Sequence, residues 1–265
     1  MMNGQLENPL KNNKPAIRFE NLTRRFGDFT AVDSINLEIK RGSFFGFLGP
    51  NGAGKSTTIN MLIGLLKPTS GKIYIEDMDI ERNPIEVKRI LGVVPEILNL
   101  YERLKSREYL ELSGMLYGLR QSEARKRSDE ILDLLEIEGE KYIVDLSQGM
   151  KKKVTLGAAI IHKPEILVLD EPFITVDAIS ARKIKDILYT MVASGVTIFM
   201  TSHVLEVIEK LCTDVAIIHE GKILLTGTID ELVKDGDMNS NQTLEDVFVK
   251  AVGGNMERGE LSWIK

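Results

Sequence analysis

The chain has 265 residues, 43% of them hydrophobic and 28% charged, and 34 Lys+Arg against 39 Asp+Glu give a formal net charge of −5. That length and balance support one large or two small globular domains with a sizeable core, and they exclude a disordered or fibrous chain. A pI near 5.5 argues against a dedicated nucleic-acid binder, which carries a basic excess, and no run approaches the roughly 18 to 20 apolar residues that span a bilayer.

Residues 1–15, MMNGQLENPLKNNKP, are polar and Asn-rich, without the apolar stretch a signal peptide needs, and read as a flexible tail. Residues 16–22 and 35–39 read as short strands. Residues 43–48 (SFFGFL) form an apolar run that suits a buried strand. Residues 55–66 follow with Ile59, Leu62, Ile63 and Leu66 at helical spacing. Residues 72–75 and 90–94 read as strands again. The character then changes: 104–117 and 123–135 are charged and amphipathic, with Ile131, Leu134 and Leu135 on one helical face. This reads as a helical subdomain set into an α/β domain. Buried parallel strands are expected at 166–169, 196–200 and 215–218, separated by helices at 180–193 and 204–211. A short strand at 222–226 follows the Glu220–Gly221 turn. Residues 235–242 (DGDMNSNQ) read as a linker. A terminal helix is expected at 243–252, with Thr243 as N-cap and Asp246 at N3, followed by a frayed end.

Cys212, the single cysteine, lies among Val207, Ile208 and Leu211. It reads as a small buried hydrophobe in a reducing compartment. His162, His203 and His219 have no metal-ligand spacing.

The chemistry concentrates at Gly49-Pro50-Asn51-Gly52-Ala53-Gly54-Lys55-Ser56, a full match to G-x-x-x-x-G-K-[ST] between a strand and a helix. Glycines let successive N–H groups turn inward around an anion, and the helix adds its positive N-terminal end. Lys55 reaches the β- and γ-phosphates, Ser56 ligates Mg²⁺ and Thr57 donates to a phosphate oxygen. A phosphate loop also needs a metal carboxylate and a group that activates water. Ile166-Leu167-Val168-Leu169-Asp170-Glu171 supplies both at the C-terminal end of a strand, where open α/β sheets bind ligands. Asp170 is assigned to Mg²⁺ and Glu171 to the general base. Ser147 and Gly149, opening a helix at 149–161, read either as an ordinary N-cap or as a second anion site.

With these residues in place the chain resembles an ATP-binding cassette (ABC) transporter ATPase subunit, of exporter type, from about residue 17 to 227. GPNGAGKST resembles the family phosphate loop, LSQGM (146–150) the LSGGQ signature, and LVLDEP (167–172) the strand with the catalytic glutamate. His203 in TSH resembles the switch histidine, Asp177 the D-loop aspartate, and Phe26 the aromatic that stacks on adenine, with Val32 packing on the same nucleotide. The resemblance implies an α/β P-loop NTPase with a mostly parallel core sheet, an antiparallel N-terminal β subdomain and an inserted α-helical subdomain. The implied boundaries are 16–234 for the ATPase domain, about 98–162 for its helical subdomain and 235–265 for a linker and helical extension. It further implies head-to-tail dimers in which Ser147 and Gly149 meet the γ-phosphate of ATP held by the partner's phosphate loop; Glu171 polarises the attacking water, and His203 contacts the γ-phosphate and links it to the opposite subunit.

The implied partners are a separate polytopic permease and a second ATPase subunit, identical or not, on the cytoplasmic face of the membrane. A groove beside Glu96 and the helical subdomain receives the permease helix, and no nucleic acid is expected. Glu96 stands where the family has a glutamine near Mg²⁺. Gln148 and Met150 depart from the signature, and PFITVDA departs from the usual PTSGLDP. Thr175 is β-branched where glycine is usual, so that loop is expected to take another shape. Lys151–Lys153 reads as a solvated helix face, with a phosphate or membrane-surface role as the minor alternative. Two other readings stand beside the exporter subunit: a soluble ABC ATPase acting on nucleic acid or the ribosome, and a weakly hydrolysing regulatory module.

Overall fold

Ten strands and nine helices, counted among the described residues, form two sheets with helices around them. The computed structural model describes residues 14–174, 176–234 and 243–253. Residues 1–13 of the tail expected at 1–15, the altered loop at Thr175, the linker at 235–242 and the end beyond 253 lie outside them; Lys14, at the end of that tail, pairs with Asp77 at 2.8 Å.

The first sheet is antiparallel, in the order β2-β1-β4-β5, from β1 (Ile17–Phe26), β2 (Phe29–Ile39), β4 (Ser70–Ile75) and β5 (Met78–Asp79). The expected strands at 16–22 and 35–39 are two parts of one long hairpin turning at Gly27. The second sheet runs β10-β9-β3-β8-β7-β6. It comprises β3 (Phe44–Leu48), β6 (Leu91–Val94), β7 (Ile166–Asp170), β8 (Thr197–Ser202), β9 (Asp214–His219) and β10 (Lys222–Thr228). Only the β9–β10 edge pair is antiparallel. β3, β7 and β8 are buried along their whole length, as continuous apolar runs in a covered parallel sheet must be.

Helix α1 (Lys55–Leu62) is shorter than expected: the N–H groups of Leu65 and Leu66 both turn back to the Asn60 carbonyl, at 2.9 Å. Helix α2 (Pro84–Ile90) is not among the expected elements, although Pro84 at its first turn is a start signal. Helices α3 (Ser106–Leu116), α4 (Gln121–Leu135) and α5 (Gln148–Ile160) form the helical insertion around Leu110, Leu132, Leu135 and Val154. Gly157 lets them approach, since a Cβ there would sit 2.6 Å from Ile131 and 3.2 Å from Leu110. Helices α6 (Ala178–Ala193), α7 (Leu205–Leu211) and α8 (Ile229–Lys234) follow the sheet. Helix α9 (Leu244–Gly253) buries Leu244 and Val247 in the same core. Its Thr243–Asp246 cap is as expected: the Thr243 N–H donates to the Asp246 carboxylate at 2.9 Å and the Asp246 N–H to the Thr243 hydroxyl at 3.3 Å.

The lysine run departs from expectation. Lys152 and Lys153 are 5% and 7% exposed, not solvated. Lys153 Nζ donates to the Leu135 carbonyl at 2.6 Å, satisfying the C-terminal end of α4. Lys152 Nζ donates to the Glu171 carbonyl at 2.7 Å. Lys151 pairs with Glu102 at 3.0 Å. The two buried ammonium groups are held by loop and helix-end carbonyls remote in sequence, which periodicity does not reveal.

The insertion is tied to the sheet at His162. Its ring stacks on Tyr117 at 3.6 Å with 5° between planes, and its Nε2 lies 3.0 Å from the Leu91 carbonyl. Burial pushes its pKa down to about 4 from 6.5. The folded state therefore keeps His162 neutral while the unfolded chain takes up a proton as pH falls below 6.5. Stability is expected to fall between pH 6.5 and 4 by on the order of 1–2 kcal/mol from this group, after discounting for its partial exposure. Chemical denaturation of the protein and of His162→Phe, which keeps the stack, measures it. The variant should show the shallower slope, and parallel slopes would refute the assignment.

Candidate active site

Strand β3 delivers the chain at Gly49 to the C-terminal edge of the parallel sheet, and α1 carries it away. Between them Gly54 caps the helix at φ +106, and a Cβ there would lie 2.5 Å from the Ala31 carbonyl. Only glycine fits both the dihedral and the approach. The Gly221 N–H donates to the Ala53 carbonyl at 3.0 Å and anchors the loop to the β9–β10 turn.

Lys55 is 6% exposed. Its ammonium donates to the carbonyls of Gly49, at 2.8 Å, and Pro50, at 3.1 Å, and stands 3.9 Å from Glu171 Oε1. Burial pushes its pKa down, and Glu171, Asp170 and Glu96 push it back.

β7 and β8 set the acidic side. Asp170 pairs in register with Thr201, whose hydroxyl donates to Asp170 Oδ1 at 2.5 Å. The same Thr201 oxygen accepts the Glu171 N–H at 3.2 Å. Burial raises the Asp170 pKa, against the Thr201 hydrogen bond that lowers it. Glu171 adopts φ +48, in the left-handed region that non-glycine residues seldom occupy. Its side chain is 6% exposed, and its Oε1 lies 2.7 Å from His203 Nδ1. With Nδ1 protonated the ring donates to the carboxylate. Such local strain at a site, held by bonds with Thr201, Lys152, Ile174 and His203, is a mark of function.

A cavity of about 350 Å³ opens here, walled by Asn51, Gly52, Gly54, Lys55, Ser56, Thr57, Glu96, Glu171 and His203, with Phe29, Ala31 and Ile174 on the remaining side. The structure thus brings most of the expected residues together. Val32 is fully buried beneath the loop and is not part of the wall. Phe26 is 45% exposed, with the Arg24 guanidinium 4.5 Å above its ring. The sequence offers no local pattern for Phe29, Ala31 and Ile174 on the wall, or for Thr201, which binds both Asp170 and Glu171. Phe29 was legible only as the residue after a hairpin turn. Thr201 carried no signal apart from lying on the neighbouring strand.

Ser147, Gly149 and Asp177 form a second, separate group. The Ser147 hydroxyl accepts the Met150 N–H at 3.3 Å and caps α5. The Asp177 carboxylate accepts the N–H groups of Ile179, at 3.1 Å, and Ser180, at 2.9 Å, and caps α6. A Cβ on Gly149 would lie 3.3 Å from Asp177 Oδ2, so the two helix starts are neighbours. Ser147 and Asp177 are exposed.

The donor set suits Mg²⁺ bound with a phosphate. Ser56 and Glu96 offer oxygens to the cavity and Asp170 stands behind it. Among the described residues no group of three or more His, Cys, Asp or Glu could hold a metal ion. A cation that takes one or two protein oxygens, phosphates and waters needs no such cage.

Comparison with known proteins agrees with this geometry. Residues 32–174 match the family of ABC transporters. The linearmycin resistance ATP-binding protein LnrL of Bacillus subtilis (strain 168) is 38% identical over 218 residues, covering 82% of this chain and 70% of the relative. A solved ATP-binding subunit of an ABC transporter superposes with TM-score 0.83 at 28% identity, covering 89% of this chain and 99% of that one. A dimeric ATP-binding cassette in a post-hydrolysis state, bound to ADP and Pi, superposes with TM-score 0.73 at 26% identity, covering 80% of this chain and 98% of that one.

Proposed function

The chain belongs to the ABC transporter family as an ATP-binding, ATP-hydrolysing subunit, and from that premise we propose that it powers an exporter through head-to-tail dimerisation. The observation that carries the site assignment is the bond between His203 and the buried Glu171 carboxylate, 3.9 Å from Lys55, on the wall of the phosphate-loop cavity. The resistance function named for its relative favours export over import.

In this reading the loop N–H groups and Lys55 bind the phosphates, Thr57 donates to them, and Phe26 and Phe29 offer aromatic faces to the base. Ser56, with Asp170 and Glu96, would hold Mg²⁺, which would supply positive charge against the phosphates. Glu171 orients the attacking water and takes its proton. His203 fixes that carboxylate and lies against the γ-phosphate. Ser147 and Gly149 complete the partner subunit's site, and Asp177 lies between the two. The ATPase domain then spans 16–234, with its helical subdomain at about 98–162, and 235–265 is an extension.

Among the described residues no helix is long and apolar enough to cross a membrane. The membrane link is assigned to a separate permease, which places the chain on the cytoplasmic face. A groove of about 680 Å³ between α2 and the end of α3 supports this, with Leu65, Ile85 and Leu116 beside Lys88 and Arg89. Leu65 and Leu116 are 74% and 76% exposed, apolar surface that a docked helix would cover.

The test is co-purification of the tagged chain from detergent-solubilised membranes. A stoichiometric polytopic protein is expected. The double variant Leu65→Asp, Leu116→Asp should lose it at least ~10-fold while ATP binding by the isolated chain stays unchanged. Recovery of ribosomes or DNA in place of a membrane protein would overturn the proposal.

A further inference from the structure

Lys152 is the fifth residue of α5, the helix that Ser147 caps, and it ends on the backbone of Glu171. It is 5% exposed, its bond to the Glu171 carbonyl is 2.7 Å, and it is the one lysine side chain with a described bond to that peptide. A charged donor on a carbonyl is roughly twice as strong as a neutral one. An ammonium is also costly to bury without such partners. Burial pushes its pKa down while the charges of Glu171, Glu96 and Asp170 push it back, as they do for Lys55.

The peptide it grips needs gripping. Glu171 sits at φ +48, and the Thr201 bond restrains only its N–H side. The Lys152 bond, at 2.7 Å the shorter of two to that carbonyl (the Ile174 N–H donates at 3.4 Å), restrains the carbonyl side, and with the Thr201 bond it fixes where the carboxylate emerges. Loss of either end lets the backbone relax toward ordinary dihedrals and swings the side chain away from His203.

We propose that Lys152 is a positioning residue for ATP hydrolysis, pinning the backbone of Glu171 from the start of the signature helix. This rests on the reading of Glu171 as the general base. Through Lys152, a shift of α5 when Ser147 engages the partner's nucleotide moves the Glu171 carbonyl in the same subunit. Residue 152 thereby joins the two halves of the composite site within one chain.

The test compares Lys152→Met and Lys152→Arg in the purified full-length protein, reading kcat, KM and ATP affinity, with thermal midpoints as a check on folding. Lys152→Met is expected to lose at least ~10-fold in kcat with KM and ATP affinity within about threefold, the split of a group acting on the chemical step. Lys152→Arg, which keeps a cationic donor, should stay within about threefold of the parent in kcat. In a Glu171→Gln background, Lys152→Met should remove less than about twofold more, because the group it positions is already disabled. A general packing role would instead lower affinity and turnover together and remain additive in that background. That result, or a Lys152→Met kcat within about twofold of the parent, overturns the proposal. If Lys152→Met does not fold, Lys152→Gln carries the same test. A parent protein that turns over no ATP refutes the reading of Glu171 itself, which separates that failure from this one.

Discussion

Glu171→Gln is expected to lower ATP turnover by at least ~100-fold while ATP affinity stays within a few-fold. Glutamine preserves the volume and can still accept the His203 hydrogen bond on its oxygen. It cannot take a proton from water. The carboxylate is almost fully buried, so no bulk base replaces it at that position. With hydrolysis blocked and binding intact, the ATP-bound dimer should accumulate, seen by size exclusion in the presence of ATP and Mg²⁺. Full turnover in the variant would sink the general-base assignment. An inactive parent would favour the regulatory module.

Lys55→Met is expected to weaken ATP binding by at least ~100-fold, about 3 kcal/mol, because the charged donor to the phosphates is lost. The loss extends beyond one contact. Glu171, Asp170 and Glu96 all lie within electrostatic reach of that ammonium, and without it they repel the incoming triphosphate. Methionine keeps most of the stem, so the loop carbonyls of Gly49 and Pro50 lose a donor but no packing. Titration calorimetry with ATP measures the change. An affinity within about threefold of the parent would show that the loop amides alone carry phosphate recognition.

The two variants concern residues that were legible from sequence. The phosphate loop and the 166–171 strand each show a local pattern whose chemistry forces its geometry, and the alternation of strands and helices follows from apolar periodicity. What escaped depends on distant neighbours. Thr201 matters because β8 lies beside β7 in register, and strand order is not written in either strand. Lys152 and Lys153 look like surface residues in a charged run, yet the carbonyls that take them lie at Glu171 and Leu135. Val32 looked like a nucleotide contact by position, but the pleat of β2 turns it into the core and presents Ala31 to the cavity. The helix α2 was missed because it is seven residues long, too short for periodicity to register.

Cys212 closes α7 against β3, where it is 8% exposed and burial pushes its thiol far above the ordinary range. A Cβ on Gly46 would stand 3.0 Å from its sulfur. A thiol in that state presents almost no thiolate to an alkylating reagent, and the chain has no other cysteine. The natural sequence is therefore already a silent background for site-directed spectroscopy. A cysteine placed at Ile179, 74% exposed at the start of α6 beside Asp177, would take a spin or fluorescent label alone. In a pair of identical chains, the distance between two such labels would report the approach of the subunits directly, independent of phosphate release.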